Sequence, residues 1–186
     1  MKELTTSPRT RIVIAAAMMA SPLAIGGAAA TDVIALGGSA TAPWTHHIRQ
    51  VDEALARKHV SAAERAWHAA YLAALKSRRW EAMMEVGNAY LRIGEVTRGR
   101  RTAQATARRL YLAALFRARQ QRSLDGVLRA TEAFAALGDH EVAEQGVYIA
   151  YNLAAQVQNP EARARVNAIA RRLAARFSGP GSSEFD

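Results

Sequence analysis

The sequence predicts an all-α fold of about seven helices, set as antiparallel pairs and stacked as a short α-solenoid. Three observations predict it. Residues 44 to 159 contain no proline and only six of the twelve glycines, which disfavours a loop-rich sandwich, a collagen-like chain or a disordered one. Between 160 and 177 apolar residues recur at the steps of three and four that mark one face of a helix. The chain also echoes itself every 40 residues: Tyr71-Leu-Ala-Ala-Leu75 recurs as Tyr111-Leu-Ala-Ala-Leu115 and, degraded, as Tyr151-Asn-Leu-Ala-Ala155, with Ala63, Ala103 and Ala143 aligned upstream. Self-similarity at such spacing marks stacked units, each too small to bury its apolar face alone.

The first thirty residues read as an address. Lys2, Arg9 and Arg11 precede an uncharged run from Ile12 to Thr31, and Ala28-Ala29-Ala30 offers small residues for cleavage, the order of a secretory signal peptide. The alternative is a retained membrane anchor over residues 12–31, since about 20 apolar residues span a bilayer. Pro22, Gly26, Gly27 and many alanines weaken that apolar run, and Asp32 follows at once. No adjacent arginine pair precedes it, so a twin-arginine route has no support. The expectation is an exported chain, periplasmic or secreted. Residues 31–43, with two glycines, serine, threonine and proline, are expected to form a flexible lead-in.

From Trp44 the expected helices span 44–58, 61–76, 79–93, 98–122, 124–137, 140–157 and 160–177, followed by a disordered tail over 178–186. Ser61 and Glu64 have the spacing of a capping box. Gly94 and Gly138 follow apolar runs where a left-handed residue stops a helix, and Thr97 and Asp139 lie where they could cap the next one. Asn159-Pro160-Glu161 opens the last helix with a cap, a pre-set φ and a negative charge, while Arg171, Arg172 and Arg176 crowd its C-terminal end. Val166, Ile169, Ala170, Leu173 and Phe177 form its apolar stripe. The break near Ser77 carries no Gly or Pro to mark it.

Composition narrows function. The 186 residues are 50% hydrophobic and 22% charged, enough for one ordinary core. No cysteine is present, which excludes a disulfide framework, a thiol nucleophile, a cysteine zinc site and an iron–sulfur centre. An exported chain would then depend on helix packing alone. The net charge is +9, and removal of residues 1–30 leaves +7, so the leader does not account for the basicity. His46, His47, His59, His68 and His140 show no ligand spacing on one helical face with a carboxylate. Asp52 and Glu53 are adjacent on a helix, so they cannot face each other across a bond as acid and base. Phosphate-binding glycine loops, G-x-S-x-G and a dinucleotide fingerprint are absent. The expectation is a protein that is not an enzyme and takes neither cofactor nor metal.

Met83, Val86, Gly87, Asn88, Ala89, Tyr90, Leu91, Arg92, Ile93, Gly94 and Glu95 together resemble the first helix of a tetratricopeptide repeat: a large residue, Leu-Gly, Tyr, then Gly with an acid. Ala130, Phe134, Gly138 and Asp139 resemble a second such unit. Ala143, Val147 and Ala150, like Ala63, Trp67 and Ala70, are similar to the family's second helix in their small, large, small order. The resemblance covers residues 44–158 as about three helix pairs, with 159–177 as a capping helix, and it implies a right-handed stack. Two features depart from the pattern. The family period is about 34 residues, whereas first helices here begin about 36 and then 44 residues apart, and no proline closes a unit. The extra length is expected in the helix over 98–122, which leaves another α-solenoid or an irregular helical bundle open.

The resemblance also implies a groove lined by first helices that receives a peptide. By position, its lining is Ile48, Asp52 and Leu55, then Glu81, Met84, Asn88, Leu91 and Arg92, then Asp125, Leu128, Glu132 and Ala135. Asn88 sits where some relatives bind a terminal carboxylate, but Asp52 and Glu132 occupy the matching positions and would repel one. The residues alone also fit an ordinary mixed helix surface.

A second surface comes from arginine itself. Between Glu95 and Asp125 stand eight arginines and no acid. At 100° per residue Arg98, Arg101, Arg108, Arg109, Arg119 and Arg122 fall within about 140° of arc. Leu112 and Phe116 lie inside that arc, which suits packing against a partner, although the stripe also fits a solvated basic face. Guanidinium groups so placed could hold carboxylates or phosphates through forked hydrogen bonds. The expected partner is a protein or peptide, acidic in character. Anionic lipid or cell-wall polymer is the alternative, and nucleic acid fits only a chain that stays in the cytoplasm.

Overall fold

The computed structural model of the chain describes residues 42–157 and 159–178. The expected signal peptide, most of the lead-in and the tail beyond Ser178 lie outside the described residues. Within them the chain forms seven α-helices and no strand: α1 (Pro43–Ala56), α2 (Val60–Ser77), α3 (Trp80–Thr97), α4 (Arg100–Gln120), α5 (Leu124–Ala136), α6 (His140–Val157) and α7 (Pro160–Phe177). Each helix packs on the next, and α1, α3, α5 and α7 also touch one another in turn. Short turns force consecutive helices to run antiparallel. The odd helices therefore form one layer and the even helices flank it, which is the helical-repeat arrangement the 40-residue echo predicts.

The echo lives on the even helices. They begin at 60, 100 and 140, whereas the odd ones begin at 43, 80, 124 and 160. The aligned small residues Ala63, Ala103 and Ala143, with Ala74, Ala114 and Ala154, are all buried. Side chains this small let the even helices press close against the odd layer. The expected extra length is present, α4 having 21 residues where α2 and α6 have 18.

Helix ends depart from expectation at three places. The Ser61–Glu64 capping box does not form: α2 starts at Val60, and the preceding His59 supplies no side-chain cap. Lys58 at φ 60° turns the chain, and the His59 N–H donates to the Ala54 carbonyl, so the cap position falls on His59, two residues before Ser61. Gly94 does not stop α3, which runs on to Thr97; Arg98 at φ 56° follows instead. Gly94 serves a close approach, since a β-carbon there would overlap the Ala103 side chain of α4. Thr97 is consequently inside α3, its Oγ1 donating to the Ile93 carbonyl at 3.0 Å. Asn159 caps α7 as expected, accepting from the Glu161 N–H at 2.8 Å, and Gly138 takes φ 81° beyond α5.

The core runs from Trp44 on α1 to Leu173 on α7. At its centre Tyr111 lies over Gly87, whose added β-carbon would stand 2.6 Å from the ring. Tyr111 meets Phe134 edge-on at 6.2 Å and donates its hydroxyl to Asn88 Oδ1 at 2.6 Å. Burial pushes the Tyr111 phenol up to about 12, against the opposing charge of Arg92. A smaller cluster of Val51, Ala54, Ala63, Ala89 and Ile93 joins α1, α2 and α3.

Candidate functional site

The groove expected on the odd helices is only partly open. Met84 and Leu128, 8% and 1% exposed, point into the core with Ala135 and do not line it. Positions 84 and 128 follow helical steps that turn them toward the even layer, a rotation the family pattern did not resolve. Asn88 and Asp52 remain exposed, and Leu91, Arg92, Asp125 and Glu132 are half-buried. Their charges are already satisfied between helices.

Arg92 meets Asp52 at 2.8 Å, Arg165 meets Asp125 at 3.0 Å, and Arg172 meets Glu132 at 2.9 Å. Every one of these pairs is 40 residues apart. The repeat sets equivalent positions of adjacent odd helices side by side, so an acid in one unit meets a base in the next. Asp52, Arg92, Glu132 and Arg172 thus alternate in sign along one register. The ladder was present in the sequence as acid and base at one repeat position, a signal missed because Asp52 and Glu132 were matched to Asn88, whereas their register partner is Arg92, and Arg172 was assigned to the end of its helix. Near the start of α3, the Arg79 guanidinium donates to Glu81 and holds that carboxyl below its usual range.

The arginines around α4 divide into two groups. Arg108 donates to Asp139 Oδ2 at 2.6 Å and to the Leu137 carbonyl at 3.1 Å, tying α4 to the α5–α6 turn. It belongs to the scaffold and not to a free anion surface. Arg117 donates to the carbonyls of Ala74 and Arg79, both at 3.1 Å, and Gln121 donates to that of Arg78 at 2.9 Å. These bonds tie α4 to the last turn of α2 and to the α2–α3 turn at Arg78 and Arg79. Burial lowers the Arg117 pKa from its ordinary value, Tyr71 opposes that shift, and nearby Arg78 adds to it.

The second group is Arg98, Arg100, Arg101, Arg109, Arg119 and Arg122, which have no ion-pair partner among the described residues. All six are exposed. Arg98 and Arg122 sit in left-handed turns at the two ends of α4, at φ 56° and 52°. Leu112 and Phe116 share the solvent face of α4 with Arg109 and Arg119 and are 42% and 54% exposed. An open cleft of about 690 Å³ is lined by Arg119 of this face and by Gln145, Tyr148, Ile149, Asn152, Leu153 and Gln156 of α6. Sequence reasoning missed the α6 contribution, because no local motif announces that Arg119 and the α6 residues share one cleft.

Among the described residues no three His, Asp or Glu side chains gather to hold a metal, and no helix is long and apolar enough to cross a membrane. Every buried side-chain nitrogen and oxygen has a hydrogen-bond partner there. Neither the protein-family models nor the curated proteins compared with the sequence match it.

Proposed function

We propose that the chain is an exported, non-catalytic scaffold, a tetratricopeptide-like helical repeat that binds an acidic protein partner through the arginine surface of α4. One observation carries this reading. Of eight arginines between Glu95 and Asp125, six are exposed without an ion-pair partner among the described residues, and no acid interrupts them. Unpaired guanidinium groups at Arg101, Arg109 and Arg119 along α4, with Arg98 and Arg122 in the turns at its ends, present a field and a set of forked donors to carboxylates. The inner face supports a binding role less well, since its acids are paired and Met84 and Leu128 are buried. Export is supported by the order of basic residues, apolar run and small residues in the first thirty positions.

The test is affinity capture by the tagged full-length chain against Arg101→Glu/Arg109→Glu/Arg119→Glu. Wild type is expected to retain an acidic protein whose capture falls steeply with salt, as the screening length drops from about 10 Å at 0.1 M to about 3 Å at 1 M. The triple variant should lose that protein while its circular dichroism is unchanged. Undiminished capture by the triple variant would overturn the proposal, and recovery of the chain starting at Met1 from the cytoplasm would overturn export.

A further inference from the structure

We infer that the outer face of α4, with the adjoining cleft against α6, docks an acidic amphipathic helix of the partner protein. This rests on the function proposed above and names the shape and chemistry of what binds.

Exposed large apolar side chains are ordinary when scattered. Leu112 and Phe116 are not scattered: they lie one turn apart on a single helix, with Arg109 three residues before and Arg119 three residues after. Tyr148, 65% exposed, lines the same cleft as Arg119. The result is an apolar centre with a cation at either end. A helix that packs its own apolar residues at i and i+4 onto Leu112 and Phe116 would set flanking acids against Arg109 and Arg119. Burying the two apolar side chains supplies affinity, and the guanidinium forks fix register.

The cleft decides between a polypeptide and a lipid surface. Gln145, Asn152 and Gln156 share the concave α6 wall with Ile149, Leu153 and Ala155, and their amides donate and accept hydrogen bonds in fixed directions. Backbone ends and polar side chains of a bound helix use such groups. A bilayer is flat at this scale, leaves the concavity empty, and favours lysine and arginine around a broader apolar stripe than two residues.

The experiment selects binders to the full-length chain from a displayed library of peptides of about 16 residues, near the length at which a helix persists in water. Enriched peptides should carry apolar residues at i and i+4 with Asp or Glu beside them. Against the best of these, Leu112→Ser/Phe116→Ser and Arg109→Gln/Arg119→Gln should each weaken binding at least about tenfold, which is 1.4 kcal/mol, with the melting transition unmoved. Acidic peptides whose binding is lost in the arginine variant but kept in the serine variant would overturn the docking site and leave the acidic-partner function standing. Enrichment of neutral or basic peptides, or none, would overturn both. Sedimentation of the chain with phosphatidylglycerol vesicles in the absence of any peptide binding would overturn both in favour of lipid.

Discussion

On the face built from α1, α3, α5 and α7, Arg92, Arg165 and Arg172 each meet an acid 40 residues earlier, whereas on the outer face of α4 Arg109 and Arg119 meet none. The repeat register accounts for the difference. Forty residues either side of Arg92 stand Asp52 and Glu132, but either side of Arg109 stand Ala69 and Ile149, and either side of Arg119 stand Arg79 and Asn159. In the odd layer, where α1, α3, α5 and α7 touch in turn, stacking brings equivalent positions together, so Arg92, Arg165 and Arg172 are neutralised by the acids at their positions in the neighbouring helix. One face spends its charge on cohesion between units. The other leaves it available.

Both faces depend on the packing of α3 against α4, so the largest effect expected comes from breaking it. Gly94→Val places a side chain where the Ala103 β-carbon already sits. Overpacking of this kind costs about 3 kcal/mol, and the thermal midpoint should fall by roughly 10 °C. Calorimetry reads the loss, and partner capture should fall in parallel because α4 is displaced. A variant that melts like wild type would show that α3 and α4 are not held at the distance the structure gives.

The helices were legible in the sequence because the proline-free span from 44 to 159 and the 40-residue echo point the same way over more than a hundred residues. Their ends were less so. Gly94 looked like a helix stop and is a packing residue, while Arg78, Arg98 and Arg122 take the left-handed positions that glycine usually fills. The break at Ser77 is made without Gly or Pro: Arg78 turns at φ 54°, and Ser77 Oγ donates to the Ala74 carbonyl while accepting the Arg79 N–H. The candidate site was legible as an arginine stripe with Leu112 and Phe116 inside it. What composition could not separate was Arg108 and Arg117, whose partners lie 31 and 43 residues away, from the arginines that have none.

That separation makes the next effect. Arg117→Met keeps an apolar stem but removes donors from the Ala74 and Arg79 carbonyls, and should cost about 2 kcal/mol by urea unfolding. Arg109→Met, on the exposed face of the same helix, should change stability by less than about 0.5 kcal/mol. Equal effects from the two would erase the division between scaffold arginines and free ones.

The smallest effect tests the ladder itself. Arg92 and Asp52 are 39% and 51% exposed as side chains, so water screens their attraction and a coupling of only about 0.5 kcal/mol is expected from a double-mutant cycle with alanine. Arg108 and Asp139 are 39% and 22% exposed, and Arg108 also holds the Leu137 carbonyl, so the same cycle there should give about 1 kcal/mol. Raising the salt should shrink the first coupling more than the second, because the screening ions reach it more freely. Zero coupling at Arg92–Asp52 beside a clear value at Arg108–Asp139 would mean that the odd-helix charges merely coexist in register. Arg92 would then be as available to a partner as Arg109, and the inner face would rejoin the outer one as a candidate binding surface.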